Sequence, residues 1–308
     1  MNNNLFKKIP IPICGLILGV IGLGMILQDY SINLKYVCAI IGCFLILLLL
    51  IKTFKYPGEV KNEINNPIIL AITGTLSMAL MILATYINPY NPSIAFTLWI
   101  IALTYHICLV IVFTLKFALK KDLNTVFTNY FIVYVGIGLA SITGSIFNQE
   151  ALTGNICFYF SLISFIILFF IVSYRYIKLP VQEPFKPLIC IYAAPVSLCL
   201  CAYLQTTIPK SFTFIMLMFS FATLFYIFAL IKLVQLRNLP FYPSYAAFTF
   251  PFVIKANGTR NLLIYFKSVG FQFPCLSTIF IIESMIAVIL VAIVLIKYLN
   301  FIFTEKTL

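Results

Sequence analysis

Three ionisable residues, Lys255, Arg260 and Glu283, lie in stretches of this chain that are otherwise apolar. Charges inside such stretches are costly, so they occur as ion pairs, as proton carriers or as contacts to a charged substrate. Arg260 and Glu283 lie at matching depths if both stretches cross a membrane, and the deeper Lys255 could also reach Glu283. The spacing therefore predicts an ion pair between Glu283 and one of the two cations, with direct substrate contact as the alternative.

A second set of residues consists of glycines, prolines and residues with a hydroxyl or amide group. Proline bends a membrane helix and frees a backbone carbonyl, and hydroxyls or amides can hydrogen-bond a passing ion without adding charge. Small residues also let helices pack closely, so packing is the alternative explanation. The candidates for the lining of a path are Gly15, Gly19, Thr73, Gly74, Gly136, Ser141, Pro195, Ser197, Thr249, Pro251 and Asn257.

Ten apolar segments must position these residues. The chain has 308 residues, of which 63% are hydrophobic and 9% charged, and its mean hydropathy is +1.09. Soluble domains carry far more charge, and a membrane span takes ~20 apolar residues, so ten spans fill a single membrane domain over residues 1–308. The predicted spans are 10–27, 36–51, 67–87, 92–115, 128–147, 155–174, 187–204, 212–233, 245–265 and 277–297.

The odd-numbered segments hold the small, polar and proline residues, whereas most even-numbered segments are plain runs of Leu, Ile, Phe and Val. Pro12, Pro67, Pro187 and Pro243 stand near the start of four odd segments, and Asn129 takes the matching place in the remaining one. The resulting repeat of ~58 residues indicates five helical hairpins. We therefore expect an all-α integral membrane protein in which the odd helices form an inner pore wall.

The chain has a net charge of +12, and its Lys and Arg residues are divided unequally between the two sides of the predicted membrane domain. With the N terminus inside, most Lys and Arg residues fall on inner loops and only Lys35, Lys210 and Lys267 on outer loops, which indicates that both termini are cytoplasmic. Residues 1–27 resemble a signal peptide but lack a small-residue cleavage site, so we expect them to be retained. No loop is long enough to dock nucleic acid. The expected location is the plasma membrane, which in a bacterium is the inner membrane, with the lipid bilayer as a partner.

The predicted inner wall contains no Asp or Glu. Cation pores and proton-driven pumps usually place carboxylates along the route, so an acid-free path in a basic protein favours small anions. The runner-up is a proton-coupled carrier in which Glu283 or the lone His106 carries the proton, although a buried, hydrogen-bonded histidine is the simpler interpretation.

Enzyme chemistry finds little support in the sequence. There is no H-E-x-x-H, no aspartate-rich pair and no histidine cluster, and the nine cysteines include no C-x-x-C. We therefore expect no catalytic site, no metal and no cofactor. A membrane-embedded enzyme or a non-conducting assembly protein is the alternative from another class.

Three short motifs carry a resemblance to a known family: PICGLILG at 12–19, AAPVS at 193–197 and AAFTFPF at 246–252. With these motifs the chain resembles the tellurite-resistance/dicarboxylate transporter family, which includes bacterial TehA, fungal malate permeases and plant slow anion channels. The resemblance covers nearly the whole chain, and the F-T-F-P stretch is its most specific part. It implies a homotrimer in which the five odd helices of each protomer line a separate pore.

The resemblance also implies a phenylalanine on the ninth helix that plugs the pore. The motif assigns this role to Phe250, with Phe248 and Phe252 as rival choices. At ~100° per residue, Asn257 lies within ~20° of Phe250 and so shares its face, whereas Lys255 lies ~140° away and faces a neighbouring helix. The expected substrates are small monovalent anions, with C4-dicarboxylates, sulfite or tellurite-like oxyanions as alternatives.

Overall fold

The computed structural model describes residues 6–271 and 273–304, and this part of the chain is helical with no strand. Residues 1–5, 272 and 305–308 of the expected single domain lie outside it. A helix stands at each of the ten predicted positions. The odd-numbered helices, called inner helices below, are Ile13–Leu27, Pro67–Ile87, Asn129–Phe147, Glu183–Gln205 and the two-part ninth helix over 243–268. The even-numbered, or outer, helices are Ile32–Lys55, Pro92–Lys116, Asn155–Lys178, Phe212–Leu236 and Pro274–Phe303.

The outer helices are continuous because their apolar runs contain no proline beyond the first residue. They extend over 24, 25, 24, 25 and 30 residues, which is enough to cross a hydrocarbon core of ~30 Å. Three of them begin with a capping side chain. The side-chain oxygens of Ser31, Asn91 and Ser211 each accept an N–H group of the first turn.

Four inner helices are interrupted near their middles. The third breaks at Thr73, where one α-helix ends and the next begins. The fifth tightens to a 3-10 turn at Gly136–Gly138. The seventh and ninth pass from a 3-10 helix into an α-helix where Pro195 and Pro251 stand in the first turn. Proline has no N–H group to continue the preceding helical ladder, but it fits the start of a new helix.

Backbone carbonyls of these interrupted helices accept hydrogen bonds from side chains of neighbouring helices. Asn129 Nδ2 donates to the carbonyl of Ile68 at 2.9 Å, and Ser161 Oγ donates to that of Val135 at 3.0 Å. A carbonyl left unpaired in hydrocarbon is costly, so these bonds hold the broken helices in place. Bonds of the same kind join Thr128 to Leu188, His106 to Val133, Ser244 to Pro184 and Tyr298 to Pro243.

Burial separates the inner from the outer helices. In the most apolar stretches of the third, fifth and seventh helices, 67%, 72% and 83% of residues are buried, against 28% to 39% in the outer helices. Buried residues also make up most of the first helix and of the α-helical part of the ninth. The two compositions in the sequence therefore correspond to helices enclosed by protein and helices that present apolar side chains to their surroundings.

The inner helices form a closed ring in chain order, because each contacts the next and the ninth packs back on the first. Glycines allow this closure. A Cβ atom at Gly19 would lie 2.5 Å from Cβ of Thr249, and one at Gly15 would lie 2.9 Å from Cβ of Ala246. Each outer helix packs on its own inner helix and on the next inner helix around the ring. The outer helices thus cover the seams of the inner wall.

Eight of the described helices are long and apolar enough to cross a membrane by length and composition. The first helix is shorter, with 15 residues, and the ninth carries the charges of Lys255 and Arg260. The structure is therefore that of a multi-pass helical membrane protein.

Gly19→Ala is expected to lower the free energy of unfolding by about 1–3 kcal/mol, because the added methyl group would overlap Thr249 and separate the first and ninth helices. Gly58→Ala is the matched control, since nothing lies within 4 Å of a Cβ atom there. This control is expected to be neutral or slightly stabilising. Thermal unfolding in detergent measures both variants. An unchanged Tm for Gly19→Ala would contradict the tight closure of the ring.

Candidate functional site

A cavity of 60 Å³ lies at the centre of the ring, and every inner helix contributes to its wall. Gly15, Thr75, Gly136, Pro195 and Phe250 each come from a different inner helix. Four of these five residues lie at, or within two residues of, a helix break. The cavity therefore stands where the inner helices change course.

The wall of this cavity is almost wholly apolar. Among the described residues that line it, only Thr75 and Ser244 carry a hydroxyl group, and none is charged. The Thr75 hydroxyl donates to the carbonyl of Ile72 at 2.6 Å, and the Ser244 hydroxyl donates to that of Pro184 at 2.5 Å. The volume leaves room for a few water molecules.

Phe250 forms part of the wall, whereas the neighbouring phenylalanines of the same motif do not. Its ring packs on the first helix at Gly22, where a Cβ atom would lie 3.2 Å from Cδ2 of Phe250. The ring of Phe248 lies 4.9 Å from that of Tyr245, and the ring of Phe252 lies 5.5 Å from that of Tyr226 on the eighth helix. Of the three candidates for a plug, only Phe250 thus faces the cavity.

The residues selected from the sequence for a path fall into two groups. Gly15, Gly136, Pro195 and Pro251 line the cavity. The residues of the second group are buried, but they do not line the cavity. The members of the second group are Gly19, Thr73, Gly74, Ser141, Ser197, Thr249 and Asn257.

Two residues show how the second group is used. A Cβ atom at Gly74 would lie 2.9 Å from Cδ2 of Leu109, so this glycine brings the third helix against the fourth. Asn257 Nδ2 lies 3.8 Å from Sγ of Cys201 on the seventh helix. Asn257 thus contacts the seventh helix and does not line this cavity, and its pore-facing position stays a prediction.

Sequence reasoning missed the bulky apolar residues of the wall. These include Leu188, Ile191 and Leu198 on the seventh helix and Met78 and Phe131 on the third and fifth. The spacing of Leu188, Ile191 and Leu198 matches one helical face. That signal is not specific, because lipid-facing helices repeat the same residue types at the same spacing.

The Lys255 ammonium forms a buried ion pair with Glu283 on the tenth helix. The Thr259 hydroxyl, which the sequence analysis missed, donates to the second carboxylate oxygen of Glu283. Lys255 Nζ also donates to Thr259 Oγ1 at 2.9 Å and lies 4.6 Å from the centre of the Phe219 ring on the eighth helix. Neither charged residue lines the cavity, so the pair joins the ninth helix to the tenth away from the axis.

Arg260 differs from the expectation that it could pair with Glu283. Its Nε and one terminal nitrogen donate to the two oxygens of Asp29, at 2.6 and 2.5 Å, in the turn after the first helix. The reason is helical phase, since five residues turn Arg260 ~140° away from Lys255. Asp29 lies between the first two predicted spans, so the search for charges within the spans did not indicate it as a partner of Arg260.

His106 is fully buried between three helices. Its Nδ1 lies 2.7 Å from the Ser77 hydroxyl oxygen, and its Nε2 lies 3.1 Å from the carbonyl oxygen of Val133. The carbonyl can only accept, so Nε2 carries a proton. Both ring nitrogens are therefore used to fix the fourth helix to the third and fifth.

Two further ion pairs lie close to the N terminus of the first helix. Lys52 Nζ donates to the carbonyl of Ile9 at 2.6 Å and to Glu63 Oε1 at 2.5 Å. Lys7 pairs with Glu59 at 2.7 Å on the surface, and its hydrogen bond to this carboxylate raises the pKa of Lys7. The charges of Lys7 and Lys52 are therefore neutralised within the protein.

No group of three or more His, Cys, Asp or Glu side chains comes together within 6–271 and 273–304. The cysteines of this part of the chain are all free thiols.

Comparison with families of known proteins adds an independent finding. Residues 8–298 match the family described as voltage-dependent anion channel. The match spans all five inner helices and reaches nearly to the end of the tenth helix. No curated protein matches the chain.

Glu283→Gln is expected to lower the free energy of unfolding by about 3–5 kcal/mol, because it leaves the Lys255 cation buried without its counter-charge. Adding Lys255→Met should recover most of the loss. Asp29→Asn is the matched control, since it breaks a partly exposed pair and should cost about 0–1 kcal/mol. Thermal unfolding of the four proteins measures these differences. An equal Tm for Glu283→Gln and the parent would contradict the structural role of the buried pair.

Proposed function

Since this chain belongs to the voltage-dependent anion channel family, we propose that small anions pass along the axis of its inner helices and that Phe250 closes this path. Family membership makes the chain a multi-pass membrane protein of the anion channel and transporter class. It also confirms the resemblance to the tellurite-resistance/dicarboxylate transporter family that the motifs on the first, seventh and ninth helices indicate.

The observation that carries the proposal is the cavity that all five inner helices share. A closed ring of helices around a central space is the simplest route through a membrane protein, because its wall satisfies its own backbone hydrogen bonds. The cavity of 60 Å³ is almost wholly apolar. An apolar space of this kind opposes the entry of hydrated ions by dewetting, which supports a path that is closed in this conformation.

The position of Phe250 supports its role as the gate. It stands between Thr249, where the ninth helix breaks with φ −108° and ψ −89°, and Pro251 in the first turn of the α-helix. A small backbone change at this break would move the ring relative to the axis. Gly22 opposite the ring leaves the space in which Phe250 packs when the path is closed.

Two features of the site support anions as the permeant species. No carboxylate lines the cavity, so nothing there would stabilise a cation. The α-helical parts that begin at Gly74, Pro195 and Phe250 start beside the cavity. Their dipoles place partial positive charge at these starts, which favours a negative ion without a fixed charge in the path.

The alternative of a proton-coupled carrier for C4-dicarboxylates, sulfite or tellurite-like oxyanions has less support. Glu283 is bound by Lys255 and Thr259, and His106 is held by Ser77 and Val133. Neither potential proton carrier lines the cavity. Current that scales with the anion gradient and needs no pH gradient would favour the channel over the carrier.

Topology and assembly form the remaining parts of the proposal. The first and ninth helices would cross the membrane with the other eight, which gives ten spans in five hairpins with cytoplasmic termini in the plasma membrane. Burial of Ile9 and Ile11 before the first helix and the pairing of Lys255 support these two crossings. A homotrimer with one pore per protomer follows from the family resemblance, and the apolar outer helices offer the surface for it.

Phe250→Ala is expected to raise anion current by about tenfold or more, which corresponds to a barrier lowered by at least ~1.4 kcal/mol. The reason is that the substitution removes the only ring of the F-T-F-P-F stretch that faces the cavity. Voltage-clamp recording of purified protein in bilayers, with chloride, nitrate and malate as test ions, measures the effect and the selectivity.

Phe248→Ala and Phe252→Ala are matched controls, since both remove a buried phenylalanine from the same stretch without touching the cavity wall. They are expected to leave the current near that of the parent. Parental currents in folded Phe250→Ala would refute the gate assignment. If Phe250→Ala, the parent and both controls all fail to conduct, a non-conducting assembly protein becomes the better account.

A further inference from the structure

An open groove of 690 Å³, called the lateral groove below, lies between the sixth helix and the segment that joins the fourth helix to the fifth. Residues of 117–126 form one wall, where the chain runs in short 3-10 turns after the fourth helix ends at Lys116. Tyr130 and Tyr134 at the start of the fifth helix also line it. The volume lies within the range of about 300–1,000 Å³ that is typical of sites for small organic molecules. The opposite wall is one face of the sixth helix, made of Phe160, Ile163, Ser164, Ile167, Leu168 and Ile171.

The lateral groove is apolar along most of its length and open to the surroundings of the protein. Ile163 and Ile167 are 56% and 54% exposed. The hydroxyl groups of Tyr130 and Tyr134 are already paired with threonine hydroxyls, at 3.2 and 2.8 Å. In a chain that spans a membrane, such a surface borders hydrocarbon. Its occupant must therefore be apolar where it lies along the sixth helix.

The length of the lateral groove matches one leaflet of a bilayer. From Phe160 to Ile171 the sixth helix rises about 16 Å, at ~1.5 Å per residue. Half of a hydrocarbon core of ~30 Å is about 15 Å. The segment 117–126 forms the polar end of the groove, on the side that the proposed orientation places in the cytoplasm. One acyl chain of a lipid in that leaflet would fit along the groove with its headgroup at this segment.

Two opposite charges lie next to each other at the polar end. Lys121 and Asp122 are exposed, and both line the lateral groove. Asp122 Oδ1 accepts the backbone N–H and the side-chain amide of Asn124, at 2.9 and 3.0 Å. Within 6–271 and 273–304, neither the Lys121 ammonium nor Asp122 Oδ2 has a hydrogen-bond or ion-pair partner. One donor group and one acceptor atom are therefore available to a ligand in the groove.

The backbone at Lys121 has an unusual conformation. Its φ of 53° lies in the left-handed region, which residues with a Cβ atom rarely adopt. This residue joins the 3-10 turn Ala118–Lys120 to the turn Leu123–Thr125 through Asp122. Lys121 and Asp122 line the groove, whereas the exposed Lys120 does not.

We propose that the lateral groove binds one zwitterionic phospholipid with a primary amine in its headgroup, of the phosphatidylethanolamine type. An acyl chain would lie along the sixth helix, the Lys121 ammonium would donate to the phosphate, and the headgroup ammonium would donate to Asp122. One cation beside one anion complements a zwitterion, whereas a headgroup with a net negative charge would be repelled by Asp122. The proposal goes beyond the anion path, because lipid binding requires no permeation.

Native mass spectrometry of the purified full chain tests this proposal, with phosphatidylethanolamine, phosphatidylglycerol and diacylglycerol of the same acyl chains as probes. The parent is expected to bind phosphatidylethanolamine about tenfold more tightly than diacylglycerol, because hydrogen bonds to charged groups contribute on this scale. Phosphatidylglycerol should bind with an intermediate affinity, since it offers the phosphate but no ammonium. Tighter binding of phosphatidylglycerol than of phosphatidylethanolamine to the parent would overturn the proposal.

A pair of neighbouring substitutions tests the groove itself. Ile167→Trp should lower the affinity for phosphatidylethanolamine by about tenfold or more, because the indole ring fills the space for the acyl chain. Ile166→Trp is the matched control, since Ile166 is 51% exposed on the same helix but does not line the groove. Equal affinities of the two variants would overturn the proposal. An oligomeric mass that changes in Ile167→Trp alone, without added lipid, would also overturn it, because the occupant would then be a second copy of the chain.

Three further variants test the headgroup contacts. Lys121→Gln should bind phosphatidylethanolamine no more tightly than diacylglycerol, whereas Lys120→Gln should keep the parental preference. Asp122→Asn should remove the preference for phosphatidylethanolamine over phosphatidylglycerol. Parental preferences in Lys121→Gln or in Asp122→Asn would contradict the proposed contacts. None of the substituted residues lines the central cavity, so a failed gate assignment leaves this test intact.

Discussion

Backbone hydrogen bonding in an apolar medium is the constraint on which this structure depends. Hydrocarbon offers no water to an unpaired carbonyl, so a membrane helix can be broken only where protein surrounds the break. Four inner helices are broken, and side chains such as Asn129, Ser161 and Tyr298 donate to backbone carbonyls of these helices. The unbroken outer helices need no such partners, which is why plain apolar sequences serve for them.

The same constraint accounts for the cavity and for the position of Phe250. Broken helices cannot fill the axis of the ring as evenly as regular ones, so a small space remains where the breaks meet. Glycines of the first helix bring the ninth helix close enough to close the ring, and the pair of Lys255 with Glu283 fixes the ninth helix to the tenth. Phe250 is one of the residues that this arrangement places in the wall of the space. Burial, the ion pair and backbone hydrogen bonds thus all constrain the ninth helix.

The sequence predicted the helical positions and the contrast between inner and outer helices well, because composition reports directly on contact with lipid or with protein. It predicted the cavity wall less well. Helical phase places Asn257 on the same face as Phe250, but the sequence does not report that the seventh helix packs against the ninth helix at Asn257. The partner of Arg260 was missed for another reason. Asp29 lies in a turn, and only the closed ring brings that turn beside the ninth helix.

The central claim is that the axis of the inner ring is the path and that the side chain at position 250 closes it. Single-channel conductance across a graded series, Phe250→Leu, Phe250→Val and Phe250→Ala, tests this claim most directly. The account predicts that anion conductance rises stepwise as the side chain becomes smaller, with anion selectivity retained throughout. Conductance that is independent of side-chain size in correctly folded protein, or that becomes cation-selective, would contradict it.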